Sequence, residues 1–500
     1  MNVVPGRSTA NAGRLRAKAR RRTYLIGLYT VYSIGLTDPM EHLLSRRAAL
    51  RLTPALLLAR SGRAQTKIFD VRDYGAKGDG VTLDTAAIQR AIDEAAAEGK
   101  GAQVLVRGGK KYLIGTLELK GAIDFHLADD AELVVTADPA QYRGAAVIAA
   151  TGAEGLRITG TGNINGRARE FMTGYDQPGE WWLPKTFRPK MFVLTACKGL
   201  EVHGISFSEA PEWGLHMVGC EHVLVDGLRI RNLLDVPNCD GIDPDHCRDV
   251  EIKNCDIVCG DDAIVVKSTR QERDFGACSG IRVHDCLIQT QDCGVKIGTE
   301  TTQEIHDVVF ERCEIRSSSR GIGIQLRDEG AVHNIEFRDI KLVSRYHSDP
   351  WWGRGEAISL TVHPRNQQTK VGKLYDIRIR NITARAENSA RICGCPESPI
   401  ADVKLENVTL TLDRWTKYPG GVWDNRPGGA EGGIEHHNTP GFAVRNARNV
   451  SLSGCSVVWG TKPAENFSNA LEVEQVTGLA LRRFSGTAAH PDNDPDIALR

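Results

Sequence analysis

Val250-Glu251-Ile252-Lys253-Asn254-Cys255-Asp256-Ile257 is the stretch from which the fold can be read. Val250 and Ile252 alternate with polar residues, and so do Cys255 and Ile257, as in strands that bury one face. Between the two pairs stands Asn254, where the alternation slips and the chain must turn. The same eight-residue pattern recurs at 200–207, 223–230, 281–288, 308–315 and 335–342. After a longer excursion it returns at 377–384, 403–410 and 450–457. The starts from Leu200 to Ile335 are 23, 27, 31, 27 and 27 residues apart. Short strands at such a period, with no helical periodicity between them, point to an all-β, single-stranded right-handed parallel β-helix. A propeller or sandwich would need hairpin signals such as Asn-Gly, and these are scarce.

In a solenoid each repeat stacks only on its neighbours, so loops of any length can leave one side. The variable segments here are 344–373 and 413–447. Upstream, Thr82 to Ala97 has the Ala/Ile spacing of one amphipathic helix. That helix is expected to cap the N-terminal end of the coil, whose open sheet would otherwise expose unpaired backbone.

Thirteen cysteines are present, and Cys255, Cys286, Cys313 and Cys455 all fall at the sixth position of the repeat. Ile205, Leu228, Ile340, Ile382 and Val408 hold that position elsewhere, so cysteine substitutes for a core aliphatic. An interior ladder of free thiols follows, and not a zinc site or disulfide framework. Cys393-Gly-Cys395 reads as a strained link or, better, as a surface coincidence.

Lys plus Arg and Asp plus Glu both total 63. A net charge of zero gives no electrostatic ground for nucleic-acid binding. Residues 1–39 are basic, then mildly apolar, and read as a non-native extension ahead of Met40. Residues 40–65 carry Arg46-Arg47, a short apolar run and Arg63-Ala64-Gln65, the form of a twin-arginine export signal. Its apolar run is too short and interrupted to span a bilayer. Residues 67–500 are then expected to form one exported, monomeric β-helix, with no membrane attachment once mature.

Asn238-Cys239-Asp240-Gly241-Ile242-Asp243 and Gly260-Asp261-Asp262 place three acids within about one turn of such a coil. Parallel rungs stack roughly 4.8 Å apart, so Asp240 on one rung and Asp261 with Asp262 on the next share a surface patch. Clustered carboxyls split their pKa values, which suits an acid and a base working on one glycosidic bond. Gly260 permits a turn that presents both neighbours outward. Asp243, Asp245 and Asp256 read as ordinary turn acids.

These two motifs, with the opening 68–80 segment, Gly162-Asn-Ile-Asn-Gly166 and Trp213-Gly-Leu-His216, resemble glycoside hydrolase family 28, the polygalacturonases, from about residue 67 to 460. The resemblance implies a right-handed parallel β-helix that hydrolyses pectic poly- or oligosaccharides with inversion, without a metal or other cofactor. By position it makes Asp261 the general acid, and Asp240 and Asp262 the carboxylates that hold and deprotonate water. It also places His216 at the sugar site, although that histidine also reads as the cap of a rung.

Two departures stand out. Where the family has Gly-His-Gly, this chain has Asp292-Cys293-Gly294, and where it has Arg-Ile-Lys, this chain has Gly323-Ile-Gln325. The missing arginine and lysine bind the galacturonate carboxylate in the family. Either Lys296 and Arg327, each two residues from a motif position, replace that charge, or the sugar at the cleavage point is neutral. Trp351-Trp352 and Trp415 are candidates for sugar stacking or for covering the coil, and His363-Pro-Arg365 is equally open. The sequons at Asn381, Asn407, Asn449 and Asn466 mostly occupy repeat turns, which argues against glycosylation. A β-helical polysaccharide lyase and a non-catalytic carbohydrate-binding β-helix are the alternatives. Long loops favour exo action.

Overall fold

The repeats stack in the register that their alignment predicts. The computed structural model describes residues 66–99, 101–428 and 433–500; the extension 1–39 and the export segment 40–65 lie outside them. Leu200 pairs with Val223, Val223 with Val250, Val250 with Ile281 and Ile281 with Val308. The column continues through Ile335, Ile377, Val403 and Val450, every pairing parallel. Every residue of it is buried, and each contributes about 1.5–3 kcal/mol by leaving water. The fold is a right-handed parallel β-helix.

The fifth repeat position explains the corner. Gly204, Gly227, Asn254, Asp285, Arg312, Asp339, Asn381, Asn407 and Gly454 all have φ between 49° and 71°. Gly, Asn and Asp tolerate this left-handed conformation best. The amides also knit neighbouring rungs: Asn407 Nδ2 donates to Asn381 Oδ1 at 3.1 Å, and Asn381 Nδ2 to Asp339 Oδ1 at 2.8 Å. Asn449 Nδ2 donates to Asp402 Oδ1 at 3.0 Å.

At the sixth position the thiols are free and buried. Cys255 and Cys286 each donate to the carbonyl two residues earlier at 3.2 Å, and Cys313 does so at 3.4 Å. Cys393 and Cys395 are also free, and both are buried, so the pair is not a surface feature. Helix α1 (Thr85–Glu98) buries Ala87, Ile88, Ala91, Ile92 and Ala95 over the first strands.

A second ladder carries the site. Its strands are β1 (Ala146–Thr151), β2 (Lys190–Thr195), β3 (Leu215–Val218), β4 (Ile242–Asp245), β5 (Ile264–Ser268), β6 (Cys293–Thr301), β7 (Arg320–Leu326), β8 (Glu356–Val362), β9 (Asn388–Cys393) and β10 (Phe442–Ser453). They pair in this order, with Leu215, Ile242, Ile264, Val295, Ile322 and Ile358 in one inward column. The expected excursion 344–373 is in fact two loops, because β8 rejoins the ladder between them. The later one ends sooner than expected, at β10, and holds a small hairpin pairing Val422–Asp424 with Ile434–His436.

Three excursions enter the ladder at one corner and meet above it. A hairpin pairing Met172–Asp176 with Trp181–Pro184 precedes β2. Its tip meets the loop before β8, where Ser348 Oγ donates to Gly179 O at 2.6 Å and Trp181 packs edge-on against Trp351. It also meets the loop before β10, where Tyr418 Oη donates to Glu180 Oε2 at 2.7 Å and Lys417 pairs with Glu180. From the β2 corner to the β8 corner is six rungs, about 29 Å.

Candidate active site

Each acid stands at the same corner of successive rungs, just before its strand: Asp240 before β4, Asp261 and Asp262 before β5, Asp292 before β6. Backbone bonds set the stagger, Gly241 N donating to Asp262 O at 2.9 Å and Ala263 N to Cys293 O at 2.9 Å. The turn at 260 needs glycine. A Cβ there would lie 2.3 Å from Val236 O and 2.9 Å from Cys239 Sγ. Both Asp261 and Asp262 consequently face one cavity of about 320 Å³. Asp240, Asp292, Lys267, Lys296, Glu300 and Thr299 line it too, with Trp181, Trp213, Trp351 and Trp352 as walls.

One oxygen from each of Asp240, Asp261 and Asp262 lies within 4.8 Å of the others. This nearest-oxygen spacing suits one bridging water, whose two hydrogen bonds span about 4.5 Å. It is a different quantity from the carboxyl separation that distinguishes inversion from retention. The same oxygens are spaced to hold a divalent cation, but ammonium groups already face them. Lys296 Nζ is 2.6 Å from Asp262 Oδ2, and Lys267 Nζ is 3.7 Å from Asp240 Oδ2 and 3.3 Å from Glu300 Oε2.

The electrostatics divide the carboxyls. Burial, then the charge of Asp262, raises the pKa of Asp261 above the usual carboxylate range. Burial raises Asp240 well above it, with Asp243 and Asp261 adding to the effect. Asp243 is fully buried beside them and burial pushes it up to about 7, so it is not an ordinary turn acid. Asp245 is buried as well, held by His216 and Thr269, whereas Asp256 is a half-exposed partner of Arg231. For Lys296 burial opposes the charge, but Asp262 and Asp292 outweigh it and raise its pKa. In Glu300 the order is the same with the sign reversed: Lys267 and Lys296 overcome burial and hold it down at about 2.

Two expected ligands do not reach the cavity. Arg327 is fully buried, and burial pushes its pKa down to about 9. Its Nε donates to Pro427 O at 2.8 Å, and its other nitrogens donate to Leu326 O, Thr361 O, Thr361 Oγ1 and Asn425 O. A guanidinium spent on carbonyls is a clamp for the loop before β10 and offers nothing to a sugar. His216 lies behind the wall, with Nε2 3.1 Å from Asp245 Oδ2, Nδ1 3.3 Å from Lys190 Nζ, and its ring edge-on to Trp213. It positions the wall.

The family departures at Cys293 and Gly323 are one packing solution. A Cβ on Gly323 would lie 2.9 Å from Cys293 Sγ and 3.6 Å from Lys296 Cγ. The Lys296 stem therefore crosses bare glycine on its way to Asp262. Gln325 is buried and donates to Arg426 O at 3.0 Å.

Trp351 and Trp352 line the cavity, whereas Trp415 stacks on Arg385. Arg365 bonds to Asp328 and to Thr299 O at the cavity's edge. Sequence reasoning missed Lys267, Glu300, Asp292 and Trp181 as cavity residues. The available signal for Lys267 was its place directly after the inward Ile264 and Val266, at a position that alternation leaves outward-facing.

Glycosyl hydrolases family 28 matches residues 98–418. A probable polygalacturonase of Vitis vinifera is 29% identical over 381 residues, covering 68% of this chain and 73% of the relative. A polygalacturonase of Chamaecyparis obtusa is 25% identical, over 75% of this chain and 72% of its own. Among solved structures, the Yersinia enterocolitica family 28 exopolygalacturonase superposes with a TM-score of 0.65 at 20% identity, covering 83% of this chain and 78% of that one, a likeness of fold. With a family match that spans well over half its length and an acid cluster at the ladder corner, this chain belongs to glycosyl hydrolase family 28.

Proposed function

We propose that the chain hydrolyses pectin-type polysaccharides or oligosaccharides by inverting acid/base chemistry that requires no metal. The observation that carries it is the convergence of Asp240, Asp261 and Asp262 on one cavity, with Asp262 ion-paired to Lys296 and Asp261 crowded by its neighbours. Asp261, with its raised pKa, holds a proton for the glycosidic oxygen as the C–O bond breaks. Asp262, ion-paired with Lys296, takes a proton from the water whose oxygen bonds to the anomeric carbon. Asp240 orients that water. One water is consumed for each bond cut. The polygalacturonase names of the relatives support a pectic substrate.

The excursions over the corner support attack from a chain end, because Trp181, Pro184, Pro350, Trp351 and Trp352 from two of them line the cavity opposite the acids' own strands. Among the described residues no helix is long and apolar enough to cross a membrane. Export through segment 40–65 and action as a monomer are part of the proposal.

Incubation with polygalacturonate, rhamnogalacturonan and their oligomers, following reducing ends and ultraviolet absorbance together, tests it. Reducing ends without absorbance, lost in Asp261→Asn, are expected. Rising absorbance would mean a lyase, and silence on every substrate a binding protein.

A further inference from the structure

Asp292 is a carboxyl of the cavity that the acid/base reaction does not use. It is 3% exposed and lines the cavity, yet its Oδ1 has no hydrogen-bond partner. Its backbone is pinned. The N–H donates to Thr290 Oγ1 at 3.1 Å, and the carbonyl accepts from Ser319 N at 2.8 Å and Arg320 N at 3.1 Å. Arg320 Nη1 stands 3.7 Å from Oδ1, too far for a hydrogen bond, and Arg320 does not line the cavity. A buried carboxyl oxygen without a partner is costly unless a ligand supplies one.

The cations around the cavity decide what that ligand offers. Among the described residues the lining cations are Lys267 and Lys296, and both already face carboxylates. Arg327 is spent on backbone carbonyls, and Gln325 on Arg426 O. Asp240, Asp261, Asp262, Asp292 and Glu300 all border the same space. A uronate carboxylate beside Asp292 would be a sixth acid with no free cation to meet it. A hydroxyl fits, since it donates to a carboxylate oxygen and accepts from a protonated one. Burial, with the charge of Asp262, raises the pKa of Asp292 well above the usual range, so both exchanges are open to it.

We propose that Asp292 is a substrate-binding residue which reads a hydroxyl of the sugar at the cleavage point, and that this sugar is neutral and not a uronate. The proposal rests on the pectic hydrolase reading and narrows it: the polymer retains its pectic character in the neighbouring units.

Methyl α-galactopyranoside and methyl α-galactopyranosiduronate differ only at C6 and separate the cases by direct binding. The intact protein is expected to bind the galactoside at least about tenfold more tightly, and Asp292→Asn to bring the ratio near one. Asp292→Ser, smaller and uncharged, should do the same, which guards against one variant that folds poorly. A wild-type preference for the uronide, equal binding of the two, or a ratio unmoved in both variants would overturn the proposal. Because binding is read without turnover, it is distinguishable from a failure of the hydrolytic reading, in which no pectic substrate is cut. On whichever oligomer is cut, Asp292→Asn should raise KM about tenfold and leave kcat within roughly threefold. A loss confined to kcat would make Asp292 a positioning residue for Lys296 and Asp262, and would also overturn it.

Discussion

Asp262 faces the Lys296 ammonium at 2.6 Å, while Asp261 accepts N–H bonds from Asn238 and Asp262 yet is crowded by the neighbouring carboxyl. Turnover needs Asp261 protonated, so kcat/KM should fall on the alkaline side of its pH profile. The alkaline limb belongs to Asp261, and activity is lost as pH rises through its raised pKa. Lys296→Met removes the ammonium that stands 2.6 Å from Asp262 Oδ2 and should lower kcat about tenfold or more, because the base loses the partner that fixes its position. Asp261→Asn should lower kcat by about 10²–10⁴ with a near-normal melting curve. Asp243 makes a separate prediction about stability. Its pKa is about 7 in the folded chain against an ordinary 3.8, so between those values the folded chain binds the extra proton. The stability it confers is complete below about pH 4 and is lost as pH rises to 7. Asp243→Asn should therefore raise Tm at pH 7 and change it little at pH 4, as calorimetry at the two pH values would show.

Among elements, the rung is the unit, and its corner residue is the sensitive one. Asn381 combines φ of 56° with a hydrogen bond to Asp339 on the preceding rung. Asn381→Gly keeps the conformation and should cost only the lost amide hydrogen bonds, about 1 kcal/mol, whereas Asn381→Val should destabilise by about 2–4 kcal/mol in urea melts, because a β-branched residue also resists that conformation. These corners were legible in the sequence because Gly, Asn and Asp advertise a left-handed turn and the apolar alternation sets the register. The acids of the cavity were legible where the chain departs from that alternation, at Asp240, Asp261 and Asp262, and Lys296, Trp351 and Trp352 were candidates beside them. His216, Lys267 and Lys296 sit at outward positions of the ladder, where polar residues are unremarkable. Whether such a residue meets solvent, a sugar or a covering loop depends on loops far away in the sequence. Arg327 shows the consequence: its partner Pro427 is 100 residues distant, so no local pattern could mark it as a clamp.

Across the whole molecule, the excursions joined above the ladder corner decide how a polymer approaches. Ser348 and Gly179 are 169 residues apart, and Tyr418 and Glu180 are 238 apart, which hid the junction from sequence reasoning although two of the three loops stood out by length. Glu180→Ala combined with Ser348→Ala removes the side-chain ties between the hairpin tip and the other two loops while leaving the acids untouched. Short products of one size should then give way to a mixed ladder of oligomers on chromatography, with melting little changed. A roofed cavity also alters what counts as substrate. Under the proposed attack from chain ends, interior units of a long polymer would be invisible to it and only termini would be reactant, so the effective concentration would be the number of molecules and not their mass. At constant mass, halving the chain length should double the initial rate below saturation. A partner that cuts such polymers internally would accelerate this protein without touching it.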